Sequence, residues 1–330
     1  MAPANVLGLE KLPDTSEIPL WADYVELRCL THLDLQISRE DVLHAVKQGE
    51  DQRRGVDEYA DAEDPDDEAP EVTEDVKSSL WAGGLFEQLS YRERKFADFY
   101  PFEVADGGET LVRKRRITQK HRLYAFFLLA ANLRHVRSKT NRNKFTSAFE
   151  LASLAAMKRY LPGGAEVHVF GQNPLNQGRY SGKLLAKVKL LAGDLRERFI
   201  GIEDEYDPRD TGDGGLDLVG WVPTKDNAPG FLIIFAQCGC SLEEWEGKQF
   251  SPHPDAWSAT LTFKVRPTTM MFIPHCYRRN TGEWHRDRKV HTILMDRLRL
   301  VDLLRGSYRT VRGLPCDLVK AAVEQRMPVP

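Results

Sequence analysis

Apolar residues recur at helical spacing in the first part of the chain. Residues 22–50 predict a pair of helices, with Ser38 capping a helix that runs from Arg39 to about Gln48. Thr118–Val136 predicts a further helix, while the aromatic stretch FADFYPFEV (96–104) predicts no regular element. The N-terminal region is therefore expected to be mainly helical.

A regular succession of elements is predicted from residue 145 onward. Helices are predicted at Phe145–Leu161, Gly182–Phe199 and from about Arg297, and strands at Glu166–Phe170, Leu216–Val222, Phe231–Ala236, Thr268–Ile273 and Val290–Met295. The strand FLIIFA is continuously apolar, which is typical of a strand buried on both faces. Ser241 and Glu244 are spaced as a capping box that opens a helix over residues 242–250. This order predicts α/β/α layers.

The composition is that of an ordinary globular protein. Of the 330 residues, 42% are hydrophobic and 29% are charged. No apolar run approaches the ~18 residues that span a bilayer, and the N-terminus lacks the layout of a signal peptide. The five cysteines are odd in number and scattered, which favours reduced thiols over a disulfide framework. We therefore expect a cytoplasmic protein with no membrane partner.

Charge is distributed unevenly along the chain. Residues 57–75 hold eleven acidic and no basic side chains, so the net charge of −3 becomes +8 once they are set aside. Such a tract repels itself and buries little surface, and it predicts a disordered linker or loop. Two basic clusters flank the predicted helix at 118–136: Arg113, Lys114, Arg115 and Arg116 before it, and Arg134, Arg137, Lys139, Arg142 and Lys144 after it. They are compatible with phosphate contacts or with ordinary solvated helix ends.

Four polar residues in the second half are candidates for chemistry on a phosphodiester. Hydrolysis assisted by a metal ion needs hard oxygen ligands that converge on one point. Glu150 lies in register with the apolar face of its helix, Asp217 begins a strand after a glycine turn that also holds Asp213, and Gln237 ends the apolar strand. Each feature also has a structural reading: a Glu that reaches water, a turn rich in Asp and Gly, or a paired amide.

Together these motifs resemble the PD-(D/E)xK restriction-endonuclease-like nuclease superfamily, and among its members the Mrr-type restriction endonucleases. The resemblance covers about residues 145–300. It implies a mixed sheet flanked by helices, and a DNA endonuclease, acting on double strands and dependent on Mg²⁺ (with Mn²⁺ as a substitute), in restriction or anti-phage defence. Glu150 matches the acidic residue of the helix, Asp217 the central metal ligand and Gln237 the amide variant of the second ligand, with Asp213 as an additional carboxylate.

The lysine of the family motif is missing from its strand. It is expected two residues after Gln237, on the same face of the strand, where this chain has Gly239. Lys248, on the helix that follows, is the nearest candidate to serve the phosphate. If Lys248 is an ordinary solvated lysine, the alternative function is a catalytically inactive nuclease-fold module that binds nucleic acid or assembles with partner proteins.

The resemblance also suggests how the chain is divided. We predict an N-terminal helical segment at 1–56, the acidic linker at 57–76, a helical accessory region at 77–143 and a nuclease-like core at 144–330. Defence-system proteins and a second copy of the chain are further possible partners. A zinc site built from Cys238 and Cys240 with His253 or with His275 and Cys276, and a Cys–His protease, are weaker readings because the spacing of the cysteines does not match zinc knuckles and nothing marks an oxyanion site.

Overall fold

A computed structural model of the chain describes residues 5–13, 15–54, 74–175, 178–241, 244–305, 311 and 313–327. Residues 57–73, which are most of the predicted acidic linker, lie outside the described residues. Its predicted end at residues 74–76 is instead the first turn of a helix. In the described part of the chain, no helix is both long enough and apolar enough to cross a membrane.

Helices and short strands alternate along the chain. The helices are α1 (Ile18–Thr31), α2 (Arg39–Arg54), α3 (Glu74–Phe96), α4 (Gln119–Ala131), α5 (Lys139–Tyr160), α6 (Leu184–Asp194), α7 (Trp245–Lys248), α8 (Pro254–Trp257), α9 (Arg297–Leu304) and α10 (Cys316–Glu324). The strands are β1 (Gln36–Ser38), β2 (Phe102–Ala105), β3 (Thr110–Arg113), β4 (Glu166–Val169), β5 (Leu218–Trp221), β6 (Ile233–Cys238), β7 (Thr268–Phe272) and β8 (Ile293–Met295).

The main sheet is mixed and has the strand order β4-β5-β6-β7-β8. Strands β4, β5 and β6 form an antiparallel meander, whereas β7 is parallel to β6 and β8 is parallel to β7. The predicted strands are confirmed, each within three residues at its ends. The prediction of a mixed α/β protein is therefore confirmed.

Both faces of this sheet are covered, because successive residues of a strand point to opposite sides. Ile234 and Ala236 of β6 pack in the large apolar cluster that contains the buried face of α5. Ile233 and Phe235 pack in a second cluster with α6 and Trp257. The continuous apolar run of β6 is thus explained by helices on both sides of the sheet.

The N-terminal region contains a second sheet, which corrects the expectation of a mainly helical region. Strand β3 pairs antiparallel with both β1 and β2. The turn between β2 and β3 has positive φ angles at Asp106 (52°), Gly107 (67°) and Gly108 (103°). The strands are only three or four residues long, so their alternation is too brief to be read from sequence.

Helix ends follow the expected caps in one place and differ in another. Ser38 accepts a hydrogen bond from Asp41 N–H at 3.1 Å, and Asp41 Oδ2 accepts one from Ser38 N–H at 2.8 Å, so the predicted start of α2 is confirmed. The predicted capping box of Ser241 and Glu244 is wrong. α7 begins at Trp245, and Glu244 makes no capping bond because its carboxylate pairs with Lys248 instead.

A network of fully buried charges joins the two halves of the chain. Arg92 on α3 contacts Asp23 at 2.6 Å and Glu26 at 2.9 Å, both of which lie on α1. Arg297 on α9 contacts Asp23 at 2.7 Å and donates to the carbonyl of Pro274 at 2.8 Å. Buried charges of this kind are tolerated only when they are paired and hydrogen-bonded.

Two tyrosines and a histidine complete the network. Tyr100 and Tyr124 donate hydrogen bonds to the Glu26 carboxylate at 2.9 and 2.8 Å. His275 follows β7, and its Nε2 lies 3.1 Å from the carbonyl oxygen of Cys240, which follows β6. The network therefore binds α1, α3, α4 and α9 to the ends of two strands of the main sheet.

We predict that Arg297→Met lowers the free energy of unfolding by roughly 3–5 kcal/mol, because it leaves Asp23 and Glu26 with one buried cation instead of two. Lys320 forms an exposed pair with Glu324 at 3.9 Å, and Lys320→Met should change the free energy by less than about 1 kcal/mol. Denaturant unfolding of both variants measures the two changes in the free energy of unfolding. Equal effects would show that the buried network is dispensable.

Candidate active site

Asp217 and Gln237 face one another at one edge of the main sheet. The pairing of β5 with β6 sets Leu218 opposite Ala236, and Asp217 N–H donates to the Ala236 carbonyl at 3.0 Å. Extending this register by one residue sets Asp217 opposite Gln237. Side chains of opposite residues in antiparallel strands lie on the same face, about 5 Å apart at Cβ. The structure thus brings together two of the predicted site residues.

The carboxylates of Asp217 and Asp213 converge above Gly171, which follows β4. A Cβ placed on Gly171 would lie 3.4 Å from Asp213 Oδ2 and 3.7 Å from Asp217 Oδ1. The other oxygen of Asp217, Oδ2, accepts a hydrogen bond from Cys238 N–H at 2.7 Å. Asp217 therefore has one oxygen committed to the fold and one directed toward Asp213 and Gly171.

The glycines after Asp213 are required by the turn itself. Gly214 and Gly215 have φ angles of 61° and 83°, which disfavour any side chain. A Cβ on Gly215 would lie 2.8 Å from Ser251 Cβ, and Gly215 N–H donates to Asp213 Oδ1 at 2.7 Å. The absence of a side chain at Gly215 allows the backbone to approach Ser251 closely. It does not open a space for a ligand at this position.

Glu150 points from α5 toward the same carboxylates. Its Oε1 is buried and has no hydrogen-bond partner within the described residues. Burial, the negative charges of Asp217 and Asp213, and the opposing effect of nearby Asn173 together raise the pKa of Glu150 to about 8, with burial as the largest cause. The buried Oε1 agrees with the predicted inward orientation of Glu150.

The site has an excess of oxygen atoms and of negative charge. Burial raises the pKa of Asp217 to about 7; the Cys238 amide and the charge of Lys248 lower it, and Asp213 raises it. Gln237 Oε1, like Glu150 Oε1, is buried and makes no hydrogen bond with any described residue. Two carboxylates with raised pKa values and two buried oxygens without partners are a configuration that a bound cation would stabilise.

These donors fit a hard divalent cation such as Mg²⁺ or Mn²⁺. All of them are oxygens, and Mg²⁺ is commonly bound by one or two carboxylates while it keeps several waters. Among the described residues, no group of three or more His, Cys, Asp or Glu side chains is arranged to hold a metal ion by itself. A cation here would therefore need the Gln237 amide and water molecules in addition to the carboxylates.

The position of the motif lysine is crowded. A Cβ on Gly239 would lie 2.6 Å from Met271 Cε and 3.2 Å from Trp245 Cβ. Because α7 packs its first residue directly on the end of β6, a side chain at this position requires Met271 and Trp245 to shift. Helix α7 thus occupies the space of the lysine and carries Lys248 one turn further on.

Lys248 lies near the site but is engaged elsewhere. Its ammonium is 2.7 Å from Glu244 Oε2, and its side chain is 44% exposed. Its charge still lowers the pKa of Asp217. The structure therefore places Lys248 within electrostatic range of the candidate ligands, with its ammonium held by Glu244.

The basic clusters divide into structural and unpaired residues. Arg113 is buried and donates to the Val323 carbonyl at 2.7 Å, Lys114 donates to the Tyr100 carbonyl, and Arg137 pairs with Glu10. Six exposed members make no ion pair with a described residue: Arg134, which donates a hydrogen bond to His135 Nε2 at 3.2 Å, and Arg115, Arg116, Lys139, Arg142 and Lys144. Only the last three lie on α5, the helix of Glu150.

Among the described residues, the cysteines and histidines weighed for zinc do not form a metal-ligating group. All five cysteines are free thiols. The His275 ring faces the backbone oxygen of Cys240 and the carboxylate of Asp23, and the His253 ring caps α8. Both histidines thus have other partners.

Sequence reasoning missed Lys187 on α6, which lies against the turn that carries Asp213. Its ammonium donates to the carbonyl oxygens of Thr211, at 3.1 Å, and Gly212. The signal was present, since Lys187 lies three residues after Leu184 and four before Leu191 and thus falls within an apolar stripe.

Comparison of the chain with protein-family models, with curated proteins and with solved structures gave no match.

We predict that Glu150→Gln raises the melting temperature at pH 8 and has less effect at pH 5. The folded protein keeps a proton on Glu150 up to about pH 8, whereas the unfolded chain loses it near pH 4.5. Wild-type stability therefore falls as the pH rises through this interval, and an amide removes that loss, which is worth at least about 1 kcal/mol at pH 8.

Thermal melts without divalent ions, from pH 5 to pH 9, measure the effect. Exposed Glu103 on β2 provides the control, and Glu103→Gln should leave the pH profile unchanged. A Glu150→Gln curve parallel to wild type would show that Glu150 titrates normally.

Proposed function

We propose that the protein is a metal-dependent endonuclease of the restriction-endonuclease-like fold, which cleaves DNA in restriction or anti-phage defence inside the cell. The observation that carries the proposal is the approach of Asp213 to Asp217 opposite Gln237, beside buried oxygens of Glu150 and Gln237 that have no hydrogen-bond partner among the described residues. The resemblance of the motifs supports this function.

The order of elements supports the same proposal. Helix α5 precedes the antiparallel meander of β4, β5 and β6, and β7 returns parallel to β6 after α7 and α8. The helix supplies Glu150, the second strand of the meander supplies Asp217 and the third supplies Gln237. Order, strand direction and residue position thus agree with the motifs read from the sequence.

In this proposal Asp217 and Gln237 would hold Mg²⁺, with Glu150 and Asp213 in support. The cation would stabilise negative charge on the phosphate and favour ionisation of a water molecule. Glu150, with a pKa near 8 in the protein alone, is suited to accept the proton of the attacking water as the phosphorus–oxygen bond to the leaving group breaks. Lys248 would stabilise the charge that develops on the phosphate.

A basic surface leads to the site along α5. Lys139, Arg142 and Lys144 lie in the first two turns of the helix and are exposed. Lys144 is six residues before Glu150, which corresponds to about 9 Å along the helix axis. Unpaired cations at this distance are suited to contact the phosphates next to the one that is cleaved.

We predict that Asp217→Asn abolishes cleavage of duplex DNA in the presence of Mg²⁺ or Mn²⁺, because it removes the central anionic ligand. Asparagine keeps an oxygen that can accept the Cys238 N–H, so the fold should survive better than with alanine. Nicking of supercoiled plasmid is the assay. Glu166→Gln, an exposed change on β4 of the same sheet, should retain full activity.

One observation favours the alternative of a binding module without catalysis. The motif lysine is absent at Gly239, where Met271 and Trp245 crowd the position, and Lys248 is paired with Glu244. Under the nuclease proposal, Lys248→Met reduces kcat by more than tenfold while DNA affinity is little changed. A wild-type protein that binds DNA but never cleaves it, with either metal and over single-stranded, duplex and RNA substrates, would favour the binding module.

We predict that replacing Lys139, Arg142 and Lys144 together with glutamine weakens DNA binding and flattens its dependence on salt. Each phosphate contact that is lost lowers the slope of log K against log salt by about 0.9. Binding is measured by fluorescence anisotropy in the Asp217→Asn background, to prevent cleavage. The matched control replaces Arg115 and Arg116, and an equal loss in that variant would place the DNA elsewhere.

A further inference from the structure

Lys187 is a buried lysine that contacts no carboxylate among the described residues. Only 1% of the residue is exposed. Its ammonium donates to the carbonyl oxygens of Thr211 and Gly212 and lies 5.4 Å from the centre of the Phe170 ring. Burying a lysine is costly, and an apolar residue would be the ordinary choice on this face of α6. The charge at this position therefore calls for an explanation.

Both hydrogen bonds that the Lys187 ammonium donates go to the segment that leads to Asp213. The start of α6 holds the same segment, since Leu184 N–H donates to the Asp210 carbonyl at 2.9 Å. Asp210 Oδ1 in turn accepts a hydrogen bond from Gly212 N–H at 2.6 Å. The segment is thus fixed to α6 at two points, and its next residue is Asp213.

The position of Asp213 depends on this attachment. Asp213 lies beside Asp217 over Gly171, and two mutually repelling carboxylates need a restraint to stay together. The turn that follows is glycine-rich and has positive φ angles, so it gives little stiffness of its own. Lys187 therefore restrains the segment that carries Asp213 through two hydrogen bonds to its backbone.

We propose that Lys187 is a positioning residue, which holds Asp213 beside Asp217 and thereby sets the affinity of the site for a divalent cation. The inference rests on the proposed function for the identity of the ligand. Its two hydrogen bonds to backbone oxygens, together with its burial, distinguish Lys187 from a residue that contacts phosphate. We therefore assign it no contact with substrate.

The test compares Lys187→Met with Lys189→Met, a control on the same helix. Lys189 is 42% exposed and pairs with Glu203. Lys187→Met should increase hydrogen exchange at the Gly215 amide, which is bonded to Asp213 Oδ1. It should also weaken Mn²⁺ binding, measured by titration calorimetry on the full chain, by roughly tenfold. The kcat at saturating Mn²⁺ should stay near that of wild type. Lys189→Met should change none of these quantities.

A double-mutant cycle separates positioning from general destabilisation. If Lys187 acts through Asp213, then Lys187→Met has no further effect on Mn²⁺ affinity in the Asp213→Asn background. Additive losses would overturn the proposal, as would unchanged exchange at Gly215. If Lys187→Met does not fold, Lys187→Arg takes its place. This variant should keep part of the wild-type affinity for Mn²⁺. A wild-type protein that neither binds Mn²⁺ nor cleaves DNA would overturn the proposed function, and the exchange at Gly215 would then decide the positioning role alone.

Discussion

The buried charge network of Asp23, Glu26, Arg92 and Arg297 is the constraint on which the rest of the structure depends. Its members come from α1, α3 and α9 and are almost completely excluded from water. Two arginines balance two carboxylates, so each position is fixed by the others. Because Arg92 and Arg297 are distant in sequence from Asp23 and Glu26, the pairing is complete only when the N-terminal helices have docked on the main sheet. The network thus couples the helical region to the fold of the core.

Buried charge is treated in opposite ways at the network and at the candidate site. In the network, Glu26 accepts hydrogen bonds from two tyrosines and contacts both arginines. At the site, Glu150 and Gln237 each keep a buried oxygen without a partner among the described residues. The network also keeps two buried nitrogens without a hydrogen-bond partner among the described residues, Arg92 Nε and His275 Nδ1, but each of its carboxylates contacts a cation. At the site the unpaired atoms are oxygens, and this difference supports the proposed cation.

The two regions are also physically connected. His275 lies between them: its Nδ1 is 4.0 Å from Asp23 Oδ2 of the network, and its Nε2 is 3.1 Å from the carbonyl oxygen of Cys240, three residues after Gln237. The end of β6 is therefore held from one side by the network and from the other by α7, which packs on Gly239. These contacts restrict the motion of the strand end that carries Gln237. A binding site needs such support to hold its side chains in place.

Much of the core and little of its periphery could be predicted from the sequence. The helix of Glu150, the β strands and the apolar run of β6 follow from periodicity, and Asp217 opposite Gln237 follows from their order. The small sheet of β1, β2 and β3 could not be found, because its pairs are short and distant in sequence. Lys187 was missed because its partners are backbone carbonyls, which no motif encodes. Glu244 was predicted to form a capping box with Ser241, but its carboxylate pairs with Lys248. The spacing of the residues along the chain is compatible with either contact.

A crystal of the protein grown with Mn²⁺ tests the central claim most directly, through the anomalous scattering of the metal. The account predicts a peak bound by Asp217 Oδ1, with Gln237 Oε1 and Glu150 Oε1 in its coordination sphere, directly or through water. The peak should be absent from Asp217→Asn. A fully occupied metal elsewhere on the chain, with no peak at the end of β6, would contradict the account.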